Sequence, residues 1–377
     1  MMRAFFLIVF SMAVVGSATG SEIVQIGSSL NAHQPQVAVD GEGRVHLTFG
    51  SEGSIFYTCS FDAGSTYTEP VEIAKLKSLA LGMRRGPRIA IARQSIVITA
   101  IGGEQGGGRD GDLFAWRSEN KGKTWHGPAQ VSDETGSARE GLHGMAASPK
   151  GEIFCVWLDL RNKGTQIFGS RSADGGTTWS KNELVYKSPD ESVCECCHPS
   201  VVYDERGNLY VMWRNSIGGN RDMFWTTSRD GGTAFGEAAK LGRGSWKLDA
   251  CPMDGGAIAV QGEDRKIVAA WRRGKEVFLT TSQRSDEKML GAGVQPWLAA
   301  DKQRVYSVWL TGRPGDLYLA ISDQDQPLKL ATGARDPVVG AAAINKGPVV
   351  VAWEEDENGQ SVIKAKNIST NPGKTFR

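Results

Sequence analysis

The sequence predicts an all-β protein in which four-stranded blades form a propeller. Two observations support this prediction. A unit of about fifty residues recurs along the chain, and each unit holds short runs of β-branched and apolar residues separated by turn signals. The composition agrees, because 47 glycines and 11 tryptophans in 377 residues are typical of a protein with many tight turns and stacked strands.

Each unit opens with an apolar strand, and its second strand often ends in tryptophan. The openings are Gln34-Pro35, Gly86-Pro87, Gly144-Met145, His198-Pro199, Met253-Asp254, Gln295-Pro296 and Asp336-Pro337. Seven openings predict seven blades, with six as the alternative if one unit is irregular. The seventh unit lacks a fourth strand, so we expect the N-terminal residues Ile23 to Ile26 to supply it and close the ring.

A turn signature, Ser-x-Asp-x-Gly-x-Thr-Trp, follows the third strand of several units. It occurs in variant forms at Ser60 to Tyr67, Ser118 to Trp125, Ser172 to Trp179 and Ser228 to Phe235. At the third position of the signature we expect a side chain that accepts hydrogen bonds from turn amides, whereas the glycine permits a positive φ. We therefore assign a structural role to Asp62, Asn120, Asp174 and Asp230.

These turns resemble the Asp-box, or BNR repeat, of the sialidase superfamily, and the resemblance covers nearly all of the chain after residue 20. It implies a β-propeller whose Asp-boxes lie on the face opposite the active site. It also implies an exo-glycosidase of the sialidase type that needs no cofactor, although the motif itself is specific for the fold and leaves activity open.

The loops before first strands and after second strands should meet at one face, here called the top. Their arginines suit the carboxylate of an acidic sugar, because a guanidinium donates two parallel hydrogen bonds. Arg85-Gly86-Pro87 resembles the Arg-x-Pro element with which sialidases hold their substrate. The candidates for substrate binding are Arg85, Arg161, Arg214, Arg221 and Arg273. The alternative is that pairs such as Asp159 and Arg161 form loop salt bridges.

Catalytic candidates lie on the same predicted rim. By resemblance to sialidases, Asp110 or Asp159 is the acid/base residue. The rim carboxylates that could serve in a mechanism with two carboxylates are Asp159, Glu140, Asp222 and Asp254, and we expect His143 to face the channel. We expect no tyrosine on the rim, so the tyrosine nucleophile of sialidases has no evident counterpart.

Four of the six cysteines are clustered at the openings of the fourth and fifth units. One interpretation is a disulfide from Cys251 to Cys194, Cys196 or Cys197. The alternatives are a soft-metal site formed by Cys194, Cys196, Cys197 and His198, and a redox pair.

The first twenty residues read as a signal peptide, with Arg3, an apolar run from Ala4 to Val15 and small residues before a predicted cut. We expect a single domain over residues 21–377 in a secreted or periplasmic protein without a membrane span, and the alternative is that the N-terminal segment stays as an uncleaved membrane anchor. The net charge of +1, from 43 Lys and Arg against 42 Asp and Glu, gives no reason to expect nucleic acid.

The leading functional prediction is an exported sialidase-like propeller that recognises acidic glycans, containing sialic or uronic acid, at an arginine-rich top face, with their hydrolysis left open. The alternatives are a non-catalytic propeller that binds carbohydrate or protein, and a metal-handling protein built on Cys194 to His198.

Overall fold

The computed structural model describes residues 22–262, 266–281, 284–342 and 347–368, without the side chains of 284–286, and the predicted signal peptide at residues 1–20 lies outside these ranges. Within them the chain forms strands and turns and no α-helix, which confirms the all-β prediction. These ranges accordingly contain no helix that is long and apolar enough to cross a membrane.

Most strands are arranged in separate antiparallel sheets along the chain. After a short first strand, β1 (Val24–Ile26), the first sheet holds β2 (His33–Val39), β3 (Val45–Ser51), β4 (Ser54–Ser60) and β5 (Val71–Lys75). The second holds β6 (Ser78–Leu79), β7 (Arg88–Ala92), β8 (Ser95–Gly103), β9 (Asp112–Ser118) and β10 (His126–Gln130). The third holds β11 (His143–Ala147), β12 (Ile153–Asp159), β13 (Gln166–Ser172) and β14 (Glu183–Tyr186).

The fourth sheet holds β15 (Ser200–Tyr203), β16 (Leu209–Arg214), β17 (Met223–Ser228) and β18 (Ala239–Lys240). The fifth holds β19 (Gly256–Gln261), β20 (Lys266–Arg273), β21 (Glu276–Thr281) and β22 (Arg284–Ala292). The remaining strands are β23 (Val294–Ala300), β24 (Val305–Leu310), β25 (Gly315–Ile321), β26 (Leu328–Ala341), β27 (Val349–Glu357) and β28 (Gln360–Asn367).

These last six strands and β1 form one seven-stranded sheet, in the order β1-β28-β27-β26-β25-β24-β23. The sequence predicts two separate units here, but β26 runs through both. Its first half pairs with β25 and its second half, from Arg335 to Ala341, pairs with β27. The two units are joined because no turn interrupts the strand where it leaves one and enters the next.

The hydrophobic core lies between neighbouring sheets. The second strands β3, β12 and β24 are buried along their whole length, so apolar residues occupy both of their faces. Trp157, for example, is fully buried among residues of the second and third sheets, including Ile101 and Leu113. This packing explains why the sequence shows nearly continuous apolar runs rather than strict alternation.

The innermost strands β2, β7, β11, β15, β19, β23 and β26 contact one another in that order, and β26 contacts β2. They line a central channel of about 440 Å³. We call the end at which these strands begin the upper end and the opposite end the lower end. The loops before the innermost strands and after the second strands therefore meet at the upper end, whereas the turn signatures lie at the lower end.

In the turn signatures, the polar side chains bind the turn itself. The Asp174 carboxylate accepts hydrogen bonds from the amides of Thr177 (3.1 Å) and Thr178 (2.9 Å), and Ser172 Oγ donates to it at 2.8 Å. Asp62, Asn120 and Asp230 accept equivalent backbone bonds. Each of these side chains is thus satisfied locally at the end away from the arginines.

Candidate functional site

Two fully buried arginines occupy the upper end of the channel. The Arg84 guanidinium donates to the carbonyl of Pro337 at 2.8 Å and to that of Gln295 at 2.7 Å, and it lies 5.0 Å from the centre of the Trp297 ring. Arg88 donates to the carbonyls of Gly86 and Pro87. Burial lowers the pKa of Arg84 to about 10 and that of Arg88 to about 9. These side chains connect the loop before β7 to the start of β23 and to the middle of β26.

A third buried arginine, Arg214, connects the loop before β19 and the loop after β16 to strand β20. It donates to the carbonyls of Asp254 (3.0 Å), Arg221 (2.6 Å) and Arg272 (2.9 Å). The half-buried Trp246 ring lies 5.3 Å from both the Arg214 and the Arg272 guanidinium groups, within the range of cation–π contacts. Arg214 is predicted to bind substrate, but its guanidinium nitrogens already donate to backbone carbonyls. It therefore has a structural role, and we call it the floor of the site.

Asp254 and Arg313 meet beside this floor. Asp254 Oδ2 accepts a hydrogen bond from the Gln295 amide at 2.8 Å and lies 3.8 Å from the Arg313 guanidinium. Arg313 donates to the carbonyl of Met253 at 2.6 Å. Asp254 Oδ1 and Arg313 Nε have no hydrogen-bond partner among the described residues. An unpaired acceptor and an unpaired donor thus face a buried polar space.

The imidazole of His198 lies at the same end of the channel. It stacks on Trp297 with ring centres 5.6 Å apart, and neither ring nitrogen finds a partner in the described part of the chain. Burial and the charges of Arg84, Arg88 and Arg313 lower the pKa of His198 well below its usual value. The imidazole is therefore neutral at pH 7.

We call Arg84, Arg88, Arg214, Arg272 and Arg313 the arginine cluster. Three carboxylates lie close enough for their negative charge to raise the pKa of Arg84 or Arg272, namely Asp254, Asp336 and Glu354. Glu354 also accepts from the Gln34 amide at 2.6 Å and lies 3.2 Å from His33 Nδ1. Five guanidinium groups thus face three carboxylates, so this group of side chains carries an excess of positive charge.

Several of these residues carry no sequence-based prediction of a site role. Gln295 and Asp336 are known from the sequence only as the openings of strands, and Trp297 follows one of these openings, whereas Asp254 is among the carboxylates considered for catalysis. Their shared position, directly before or at the start of an innermost strand, is the signal that could have found them, because that position points to the channel mouth.

Asp159 and Arg161, predicted to act in catalysis and in binding, form a closed network instead. The side chain of Asp159 is fully buried and accepts from Ser137 Oγ (2.7 Å), Trp157 Nε1 (2.8 Å) and Arg161 Nε (2.9 Å). Arg161 also donates to Asp133 at 2.8 Å. This is the geometry of the alternative interpretation, a loop salt bridge.

Glu140 and Arg85 do lie together on the rim. Arg85 Nε donates to the Glu140 carbonyl at 2.7 Å, and both side chains are partly buried. Burial raises the pKa of the Glu140 carboxyl and lowers that of Arg85. The raised pKa is what a general acid requires, so Glu140 keeps its place as a catalytic candidate.

The other two catalytic candidates lie in different surroundings. Asp110 accepts the amides of Glu104 and Gly106, both at 2.8 Å, and so caps its own loop. His143 is fully buried, with Nε2 3.0 Å from Thr99 Oγ1 on β8, and burial lowers its pKa. The expectation that His143 faces the channel therefore needs correction, because its ring reaches toward the neighbouring second sheet.

Arg221 and Arg273 end in different places. The Arg221 amide donates to the Trp246 carbonyl, and its Nε is without a partner among the described residues, so it borders the arginine cluster. Arg273 forms a 2.7 Å ion pair with Glu287 and covers the Phe278 ring at 3.9 Å. Of the predicted binding arginines, the structure groups Arg214 and Arg221 at one site, whereas Arg85, Arg161 and Arg273 lie elsewhere.

Tyr186 corrects a further expectation. Its hydroxyl accepts from Asn215 Nδ2 at 2.7 Å, and its ring packs 4.5 Å from that of Trp213. Asn215 directly follows β16, so a tyrosine does reach the upper end, although it is held against the outer part of its sheet.

A disulfide joins Cys196 to Cys251, which links the loop before β15 to the loop before β19. Cys194 and Cys197 are free and buried, with their sulfurs 3.0 Å apart. The sulfurs of Cys194, Cys196 and Cys197 lie within 4.8 Å of one another, and among the described residues His198 is not part of that group. The four-residue metal site predicted from the sequence is therefore reduced to sulfur ligands, one of which is in a disulfide.

A cavity of about 690 Å³ opens at the lower end, away from the arginine cluster. Its lining includes Asp40, Asp204 and Asp301, whose carboxylates accept amides of their own turns. Because these carboxylates already accept hydrogen bonds from the backbone, they have fewer free oxygens for a ligand than the unpaired groups at the upper end of the channel have.

The chain resembles known proteins in sequence and in fold. Residues 92–296, more than half of the chain, match the family model of the BNR repeat-like domain. No curated protein sequence is significantly similar to the chain.

Three solved structures share the fold. An α-L-arabinofuranosidase from Fusarium graminearum is 11% identical with a TM-score of 0.56, over 93% of this chain and 98% of its own. The NanB sialidase from Streptococcus pneumoniae is 11% identical with a TM-score of 0.56, over 93% of this chain and 70% of the sialidase chain. An ulvan lyase bound to GlcA(1-4)Rha3S is 10% identical with a TM-score of 0.59, over 92% of this chain and 96% of the lyase chain.

Proposed function

The chain belongs to the family of BNR repeat-like domains, and on that basis we propose that it is a carbohydrate-active propeller whose upper end binds an acidic glycan. The observation that carries the proposal is the excess of guanidinium groups over carboxylates at the mouth of the channel. The carbohydrate class is supported by the names of the similar structures, a sialidase, an arabinofuranosidase and an ulvan lyase.

Charge selects the kind of ligand. Buried guanidinium groups without matching carboxylates cost free energy, and an anion that accepts their hydrogen bonds offsets this cost. Arg313 and Arg272 are only partly buried, so a ligand from solvent can reach them. Their planar groups fit the carboxylate of a sialic or uronic acid.

Trp246 gives the proposed site an aromatic surface. The ring is half-buried beside Arg214 and Arg272. An aromatic side chain supplies a large apolar area with little rotamer entropy, and the apolar face of a sugar ring can pack on it. A ligand whose carboxylate binds the arginines and whose sugar ring packs on Trp246 is an acidic saccharide. An inorganic anion would have no group to pack on Trp246.

If the protein hydrolyses this glycan, Glu140 is the catalytic candidate whose pKa best suits a general acid. Its pKa is raised by burial, and Arg85 lies beside it. Asp159 and Asp110 are less suited, because their oxygens already accept several hydrogen bonds. This saturation favours the second candidate function, a propeller that binds carbohydrate without cleaving it.

We also propose that the molecule is a single ring of seven blades in an exported protein. The seven innermost strands that contact one another in sequence support the number. The antiparallel pairing of β1 with β28, with Val24 opposite Ala365, supports closure by the N-terminal strand. The predicted signal peptide supports export.

The test is a binding and cleavage assay with purified protein on sialylated and uronic-acid oligosaccharides and neutral oligosaccharides of equal length. The variant Arg313→Ala removes a partly exposed cluster arginine. The matched control is Arg304→Ala, whose ion pair with Asp323 lies at the lower end. We expect acidic glycans alone to bind, and Arg313→Ala to weaken binding by about tenfold or more, as loss of one hydrogen bond to a charged group predicts.

Arg304→Ala should leave the affinity unchanged, with calorimetry as the readout. Failure of every acidic glycan to bind folded protein would overturn the proposal, as would equal losses in both variants. Release of sugar would establish a glycosidase or lyase, and binding without release would establish the non-catalytic alternative.

A further inference from the structure

We propose that Cys194, Cys196, Cys197 and Cys251 form an internal thiol–disulfide exchange site, in which a buried thiol pair and a surface-reaching disulfide exchange their bonding. This inference is independent of the proposed glycan site. It rests on four sulfurs that the fold brings together from two loops at the upper end.

The distances between the sulfurs allow exchange. Cys194 Sγ lies 3.8 Å from Cys196 Sγ, a sulfur of the disulfide, and 3.0 Å from Cys197 Sγ. Cys197 Sγ lies 4.0 Å from Cys196 Sγ. Exchange proceeds through attack of a thiolate on a neighbouring disulfide sulfur, so a sulfur already in contact with the disulfide needs only a small movement to react.

Its position and its surroundings identify Cys194 as the attacking sulfur, because it lies nearer to the disulfide sulfur Cys196 Sγ (3.8 Å) than Cys197 does (4.0 Å). The hydrogen bond between Cys194 and Cys197, together with the charges of Arg214 and Arg221, lowers the pKa of Cys194 to about 7. Burial raises the pKa of Cys197. Near neutral pH one sulfur of the pair is therefore a nucleophile, while the other keeps its proton until the second step.

The exchange balances without an outside reagent. The Cys194 thiolate attacks Cys196 Sγ, so the Cys194–Cys196 bond forms and the Cys196–Cys251 bond breaks, which leaves Cys251 as thiolate. Cys197, on losing its proton, then attacks Cys194 Sγ and releases Cys196. The products are a Cys194–Cys197 disulfide and two thiols on Cys196 and Cys251, which take up the two protons that the first pair gave up.

The exchange changes what the molecule presents to solvent. Cys194, Cys196 and Cys197 are buried, whereas Cys251 is exposed. In the observed state both thiols are hidden and the loops before β15 and β19 are cross-linked. In the exchanged state a reactive thiol lies on the surface beside the arginine cluster, and the cross-link between the two loops is open.

The geometry favours exchange over a bound zinc ion. With Zn–S bonds of about 2.3 Å in a tetrahedral site, two sulfur ligands lie about 3.8 Å apart. The 3.0 Å between Cys194 and Cys197 is shorter than this. Cys196 is also committed to a disulfide bond, so it does not offer a thiolate.

The test is to trap the Cys251 thiol in the native, non-reduced protein with a small maleimide and to map the labelled and cross-linked peptides by mass spectrometry. We expect Cys251 to be labelled over time, with a Cys194–Cys197 disulfide in the same molecules. Cys194→Ser should slow this labelling at least tenfold, since the attacking sulfur is gone. Cys59→Ser, which removes a buried thiol in the first sheet, is the control and should label like wild type.

Thermal unfolding of each variant shows whether it folds, and Cys197→Ser is a second variant in case Cys194→Ser does not. It should remove the Cys194–Cys197 product because the resolving sulfur is absent. The proposal is overturned if Cys251 stays unlabelled in wild type, or if Cys194→Ser labels as fast as wild type. Stoichiometric zinc on the protein as purified, with all four thiols protected by it, would also overturn the proposal in favour of a metal site.

Discussion

Arginine has two different roles in this molecule. Arg84 and Arg214 are buried and donate to backbone carbonyls, so they hold loops together. Arg313 and Arg272 are partly exposed, so a ligand from solvent can reach their guanidinium groups. The sequence predicts that arginines gather at the upper end, but it cannot separate these roles, because residues such as Arg272 and Arg273 are neighbours in the chain and point to different partners.

Asp159 tests this distinction between structural and functional charges. Because its fully buried carboxylate neutralises Arg161 and accepts from Trp157, Asp159→Ala should lower the free energy of unfolding by about 3 to 5 kcal/mol. Asp110→Ala, in a solvent-exposed loop, should have a much smaller effect. Chemical denaturation measures both. A fully stable Asp159→Ala protein that had lost only its turnover would show that Asp159 is catalytic.

At the scale of single elements, the turn signature was the most informative part of the sequence. It located the turns that follow β4, β9, β13 and β17, because its hydrogen bonds are local and depend on few residues. The long β26 was not predicted, because a continuous strand shared by two units leaves no turn signal. The contacts of Asp254 with Gln295 and Arg313 were not predicted for a related reason, since these partners are distant in sequence.

The glycine of the signature provides a test at this scale. Gly231 and Gly232 both have positive φ, so alanine is strained at either position. A Cβ at Gly232 would lie 2.3 Å from Phe154 of the neighbouring sheet, whereas at Gly231 the nearest atom is the mobile end of Arg171 at 3.0 Å. Gly232→Ala should therefore cost about 1 to 3 kcal/mol more than Gly231→Ala in denaturant unfolding. Equal costs would mean that the turn does not pack between the sheets.

At the scale of the whole molecule, residues from the two ends of the chain meet. His33 at the start of β2 contacts Glu354 on β27, and β1 pairs with β28. The missing fourth strand of the last unit predicts that the N-terminal strand pairs with that unit, as β1 does. The contact between His33 and Glu354 could not be predicted, because it depends on how the first and last sheets pack.

This contact makes stability depend on pH. The hydrogen bond to Glu354 raises the pKa of His33 despite burial, so the folded state binds the proton more tightly than the unfolded chain. The resulting stabilisation is present below about pH 6.5 and is lost as pH rises through the raised pKa. His33→Gln should therefore lower Tm more at pH 6 than at pH 9. His126→Gln, on the exposed β10, should give no such difference, and a constant effect of His33→Gln across this range would refute the coupling.

The most direct test of the account is a crystal structure of the protein with a uronic-acid or sialic-acid oligosaccharide bound. We predict that the sugar carboxylate lies within hydrogen-bond distance, about 3 Å, of the Arg313 guanidinium. We also predict that a sugar ring lies against Trp246. A glycan bound in the large cavity at the lower end, with the arginine cluster vacant, would contradict the central claim.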